Sequence, residues 1–242
     1  MTVTPSQRSI IRDGIAVGVA TGAYGISFGA ISVAAGLSVL QTCALSLLVF
    51  TGASQFALVG VVSAGGAPLS GAVTGLLLGT RNTLYGLRLA PLLGWTGWRK
   101  AGAAHLLIDE STAMSVTRES REDARIGFLS TGLAVFALWN LATLGGALAG
   151  EALGDPRTYG LDAAVGGAFL ALLWPRLRDR RNQLTAALAV ALALSLVPVT
   201  PAGVPVLASA LVALAVGLAT SREQDPTEVP DRDDLPSGGE HE

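Results

Sequence analysis

The sequence predicts an all-α, polytopic helical membrane protein with seven to eight membrane segments, some of them interrupted. Three observations predict it. Half of the 242 residues are hydrophobic, and mean hydropathy is +0.53. Only 14% are charged, against about 25% in a soluble domain. The charge is also segregated: residues 221–242 hold eight acids and two bases, so the formal net charge of −2 averages an acidic tail and a basic, apolar body. Ala, Leu and Gly dominate the apolar runs, and no ten-residue alternation recurs, which argues against a β-barrel.

The elements follow in order. Residues 1–12 are polar and read as a cytoplasmic N-terminal segment. The helical transmembrane domain is expected over 13–219, with helical segments at 13–35, 40–63, 67–93, 101–117, 126–150, 159–174, 184–197 and 204–219. The first apolar run exceeds a signal-peptide core and reads as a retained helix. It carries Gly14, Gly18 and Gly22 at a four-residue spacing, a smooth ridge suited to close helix packing. Gly25, Ser27 and Gly29 follow mid-span, beside Tyr24. Glycine inside a helix costs about 1 kcal/mol, so a break is expected over 22–29. A second is expected at Thr51-Gly52-Ala-Ser54-Gln55-Phe56. The Pro198–Pro205 linker cannot continue a helix, so 184–219 reads as two short crossings or a hairpin. Residues 220–242 are expected to be a disordered acidic tail.

Several chemistries are excluded. Cys43 is the single cysteine, and His105 and His241 lie far apart, so no disulfide or Cys/His metal site is expected. Lys100 is the single lysine and follows Arg99, which leaves no Gly-Lys-Ser/Thr phosphate loop. The arginines punctuate apolar runs without forming a continuous basic face, so nucleic acid is not an expected partner. With the N-terminus inside and all eight segments crossing, Arg88, Arg99, Lys100 and Arg157 fall outside, and eleven other bases fall inside. This asymmetry favours cytoplasmic N- and C-termini.

Gaps in a membrane helix free backbone groups that are tolerated only inside protein or along a wet cavity. Interrupted helices are therefore pointers to a transport site. Arg81-Asn82 lie mid-way along 67–93, about 18–21 Å from either end at 1.5 Å per residue. Arg81, Tyr85 and Arg88 share a face that cannot look at lipid. Two roles are open for Arg81: structural ion pairing, or holding a substrate carboxylate. Asp109 and Glu110 sit at the centre of 101–117, where each costs about 2.5–3.5 kcal/mol on the insertion scale. They can hold an ammonium group, carry protons or pair with Arg81; alternatively 101–117 lies at the interface with both acids in water. Asn140 reads as an interhelical hydrogen-bonding group, and Asp162 as a charge in the first turn of a helix. The candidate substrate residues are thus Gly25, Ser27, Gly29, Gly52, Ser54, Gln55, Arg81 and Asn82. Asp109 and Glu110 form the candidate proton or ammonium site. No catalytic residue, cofactor or metal is expected.

The chain resembles the AzlC (LIV-E) family, the large subunit of bacterial branched-chain amino acid exporters, over about residues 10–219. The resemblance is carried by Tyr24-Gly-Ile-Ser-Phe-Gly29, Val49-Phe-Thr-Gly-Ala-Ser-Gln-Phe56, and Leu76–Pro91 with its Arg-Asn and Tyr-Gly-Leu. Asp109-Glu-Ser and Tyr159-Gly-Leu-Asp162 with Phe169-Leu-Ala-Leu-Leu complete it. It departs at Asn82-Thr83, where the family commonly has a His-like position. The resemblance implies export of leucine, isoleucine or valine across the bacterial cell membrane, with a small AzlD-like membrane subunit as partner. The alternatives are a non-transporting scaffold subunit and an intramembrane hydrolase. For the hydrolase no aspartate pair, Ser/His pair or HExxH has usable spacing.

Overall fold

The computed structural model describes residues 4–153, 170, 173–200 and 204–222. Among them there are helices and turns and no strand. The first helices are α1 (Pro5–Gly22), α2 (Tyr24–Ala34), α3 (Val39–Leu48), α4 (Ala53–Ser63) and α5 (Pro68–Leu93). Then come α6 (Gly97–His105), α7 (Asp109–Val116), α8 (Arg121–Leu153), α9 (Arg180–Leu196) and α10 (Val204–Arg222). The expected segment 159–174, Asp162 and Arg157 lie almost wholly outside the described residues, as does 223–242 of the expected tail.

Local chemistry sets the ends. Thr4 and Gln7 form a reciprocal capping box at α1, and Ser38 and Gln41 do the same at α3, each satisfying two donors that the helix leaves open. Pro5 and Pro68 occupy first turns, where a missing N–H costs nothing. Gly94 closes α5 in the left-handed conformation, φ 61°, the usual glycine stop.

The glycine ridge sets the packing. Gly14 faces Ser130 and Thr131, Gly18 faces Ala134, Gly22 faces Leu138, and Gly29 faces Thr143 and Ala147. The two registers rise together, so α1–α2 runs parallel to α8. Helix α8 answers with Gly146 on Ile26 and Gly150 on Ala30. A Cβ on Gly18 would come within 2.5 Å of the Ala134 methyl. In lipid, where apolar burial gives no driving force between helices, this close approach supplies the cohesion. The expected break over 22–29 is absent as a gap. One turn residue, Ala23 (φ −57°, ψ −31°), separates α1 from α2, and its N–H still donates to Val19 O at 3.2 Å. Gly25 and Gly29 serve contact with α8, not interruption. Pro5–Ala34 and Arg121–Leu153 are each long and apolar enough to cross a membrane.

The remaining helices turn back on themselves. Against α8, α3 runs antiparallel: its start follows the end of α2, and Ser46 Oγ meets Thr143 Oγ1 at 3.4 Å. Gly52 then lies beside Trp139. Helix α4 packs antiparallel on α5, with Leu58 against Gly71 and Ser54 against Gly75. Helix α5 ends at the start of α8, where Arg125 Nε donates to Leu93 O at 2.7 Å and its guanidinium lies over Trp95. So α5 runs opposite to α8, and α4 must return to the end from which α3 entered. Residues 39–63 form a re-entrant pair. The same contacts repeat from the other end. Leu106 and Ser111 meet Gly132, while Met114 meets Gly127, so α7 runs back toward the start of α8. Residues 97–116 are a second re-entrant pair, entering from the opposite face.

The order is therefore span, re-entrant pair, inverted span, inverted re-entrant pair, span. This replaces simple crossings at 40–63 and 101–117. It also brings Arg88, Arg99 and Lys100 to the same half as Arg8, Arg12, Arg118, Arg121 and Arg125, correcting their expected place outside. Gln7 Nε2 donates to Glu122 Oε1 at 3.2 Å at that basic end. Helices α9 and α10 pack as a hairpin.

Candidate functional site

The two re-entrant tips meet at mid-depth, and a cavity of about 610 Å3 opens between them, within the range of small-molecule sites. One tip contributes Phe50, Thr51, Gly52 and Ala53; the other contributes Ile108, Asp109 and Glu110. Arg81 and Leu78 come from α5, Thr21 and Tyr24 from the α1–α2 junction, Val135 and Trp139 from α8. Most of the wall is apolar. Phe56 and Trp139 in that wall interlock with Phe28 behind them, with ring centroids 5.4–6.2 Å apart.

Each tip is a helix start held by its own third residue. At α4, Gly52 takes φ 56°, a region open to glycine and strained for other residues. Gln55, wholly buried, accepts from Gly52 N through Oε1 at 3.2 Å and donates through Nε2 to Leu45 O at 3.3 Å. At α7, Ser111 Oγ accepts from Ile108 N at 3.1 Å and donates to Leu106 O at 2.8 Å. Asn82 Nδ2 adds a bond to Leu107 O at 3.0 Å. In both cases a side chain satisfies backbone groups that the interruption frees.

The charges converge at one corner. Arg81 Nη1 lies 3.0 Å from Asp109 Oδ2, each side chain about one-third exposed (29% and 33%). Glu110, the next residue, lines the same cavity, as does Thr21. Of the readings left open, the pairing of Arg81 with a carboxylate is present, through Asp109. Because α7 begins at Asp109, both acids sit in its first turn, where the helix dipole favours negative charge.

Of the residues singled out in the sequence, the structure brings Gly52, Arg81, Asp109 and Glu110 to the cavity. Gln55 and Asn82 shape the tips from behind. Ser54 is buried against α5 beside Gly75 and Gly79. Gly25 and Gly29 face α8, and Ser27 is exposed on the outer side of α2. Asn140 donates to Phe136 O within its own helix at 2.8 Å. Thr21, Thr51, Ser111 and Trp139 were not among the candidate residues. Thr21 and Thr51 stood inside flagged stretches and Ser111 followed the two acids, but nothing in the pattern distinguished them.

Long apolar helices, re-entrant tips and a largely apolar cavity with charges at one corner describe a helical membrane protein. A family model described as AzlC protein matches residues 16–153, and the chain belongs to that family, which gives it a transport-related role. It is similar to an uncharacterized membrane protein of Archaeoglobus fulgidus, 32% identical over 185 residues, covering 74% of this chain and 80% of that protein. It is also similar to an uncharacterized membrane protein of Helicobacter pylori, 26% identical over 171 residues, covering 70% and 75%. No solved structure matches.

Proposed function

We propose that the chain exports leucine, isoleucine and valine, as the large subunit of a two-component exporter with a small AzlD-like membrane partner. The observation that carries this reading is the cavity: oily walls joined to one corner holding charges of both signs. A zwitterion in an apolar medium needs both ends satisfied, and its aliphatic side chain needs a dry wall. One methylene is worth about 1–3 kcal/mol, so three branched side chains can share the pocket. The basic end of the bundle is the cytoplasmic one under the positive-inside rule, in a bacterial inner membrane. A scaffold subunit needs no such charged pocket.

The test is leucine counterflow in proteoliposomes containing the chain with its small partner. Saturable exchange of leucine, isoleucine and valine is expected, with Arg81→Gln at least tenfold slower. Absence of exchange for all three would falsify the assignment. The chain alone is expected to be inactive; full exchange without the partner overturns the two-component part.

A further inference from the structure

The charges on the cavity wall set how a zwitterion can sit there. Among the described residues of the wall, Arg81 is the one cation, and Asp109 and Glu110 are the acids. A ligand with a carboxylate and an ammonium group therefore finds one opposite charge for its anion and two for its cation. The cation is already engaged, because Arg81 Nη1 lies 3.0 Å from Asp109 Oδ2. A carboxylate can reach an opposite charge in this wall only by taking the place of Asp109.

The pair is placed for such an exchange. It is not sealed into the protein: its two side chains keep 29% and 33% of their surface while lining the cavity. Nor does the α7 tip depend on it. Ser111 Oγ and Asn82 Nδ2 tie that tip through Ile108 N, Leu106 O and Leu107 O, and these bonds survive if the pair parts. Parting two charges in an oily wall is costly when either is left alone. The cost is offset when each gains a new partner as the old one leaves. The guanidinium fork fits a ligand carboxylate as well as an aspartate.

We propose that the substrate binds by ion-pair exchange: its carboxylate takes Arg81 from Asp109, and Asp109, with Glu110 beside it, takes the ammonium group. One ion pair becomes two, and both ends of the zwitterion are satisfied in the apolar site. The proposal rests on the proposed amino acid transport and fixes how the substrate is held within it. A pair that only braces the fold competes with neither end of the ligand, and this separates the two roles.

The experiment is equilibrium binding to the full chain with its partner subunit, using leucine, leucinamide (no carboxylate) and 4-methylpentanoate (no ammonium group). Asp109→Asn frees Arg81 from its competitor. It is expected to tighten 4-methylpentanoate severalfold, because the binding-competent arginine becomes the populated one, and to weaken leucinamide. Arg81→Gln is expected to weaken leucine and 4-methylpentanoate about tenfold or more and to tighten leucinamide. In the double variant Arg81→Gln/Asp109→Asn, the gain for 4-methylpentanoate is expected to vanish. A gain that survives without Arg81 comes from the field of the missing acid and overturns the exchange. Weakening of both truncated ligands in both single variants overturns it too, as the mark of a bracing pair. Thermal unfolding shows which variants are folded. Should a neutral variant fail to fold, Arg81→Lys keeps the charge and loses the fork. It is expected to weaken leucine and 4-methylpentanoate and spare leucinamide; equal weakening of all three overturns the exchange while leaving transport intact. No saturable leucine binding by the unmutated protein overturns the transport reading itself.

Discussion

At the scale of single residues, neighbours that look alike in sequence carry different weights. Gly145 and Gly146 are adjacent, yet a Cβ on Gly145 meets nothing within 4 Å, while one on Gly146 collides with the backbone of Ile26. Gly146→Ala must push α2 from α8, at about 1–3 kcal/mol. Gly145→Ala is expected to fold like the parent. A thermal-shift comparison in detergent checks the pair, and equal midpoints contradict the tight α2–α8 contact. The Arg81–Asp109 pair makes a second case. Removing one partner leaves the other charge with nothing opposite it, which costs more than losing both. Partial exposure weakens the effect. Arg81→Gln and Asp109→Asn are each expected to be less stable than the double variant, measured as a thermal double-mutant cycle.

At the scale of elements, the question is where helices stop. The interruption at Gly52 was legible because glycine there sits among Thr, Ser and Gln in an otherwise apolar run. The one over 22–29 was misread for the same cause: glycine lowers helix propensity wherever it stands, but Gly25 and Gly29 are present because α8 lies too close for a side chain. The interruption at Leu106–Ile108 contains neither glycine nor proline. It is held from outside, by Ser111 and by Asn82 on another helix, so no local rule finds it. Gln55→Ala and Ser111→Ala should each strand backbone groups, costing about 1–3 kcal/mol. Gln55→Glu retains the acceptor for Gly52 N but sets a buried carboxylate oxygen against Leu45 O, so a larger loss than for Gln55→Ala is expected. Chemical denaturation of the purified protein reads the order.

At the scale of the whole molecule, direction of entry matters most. Each re-entrant pair returns to its own face, so Arg88, Arg99 and Lys100 join the basic end. The prediction is topological. With Cys43 replaced by Ala, single cysteines at Arg8 and Arg99 should label with an impermeant thiol reagent from one side of the membrane. Cysteines at Gly36 and Gly65 should label from the other. Labelling of the Arg99 and Arg8 positions from opposite sides would mean that 39–63 crosses fully. The inverted order also explains why the cavity lies at mid-depth: two tips entering from opposite faces can meet only there.

Composition by itself determined that this chain is helical and membrane-bound, because burying so many apolar residues with so few charges has no other economical solution. It also marked Gly52, Arg81, Asp109 and Glu110, since such groups in oily segments need partners wherever the chain goes. Tertiary structure alone decided which partners they have, and which helices turn back. A helix of ten residues reads the same whether it continues across the bilayer or reverses; the difference lies in contacts between Ser46 and Thr143, or Met114 and Gly127, that no neighbouring residue encodes.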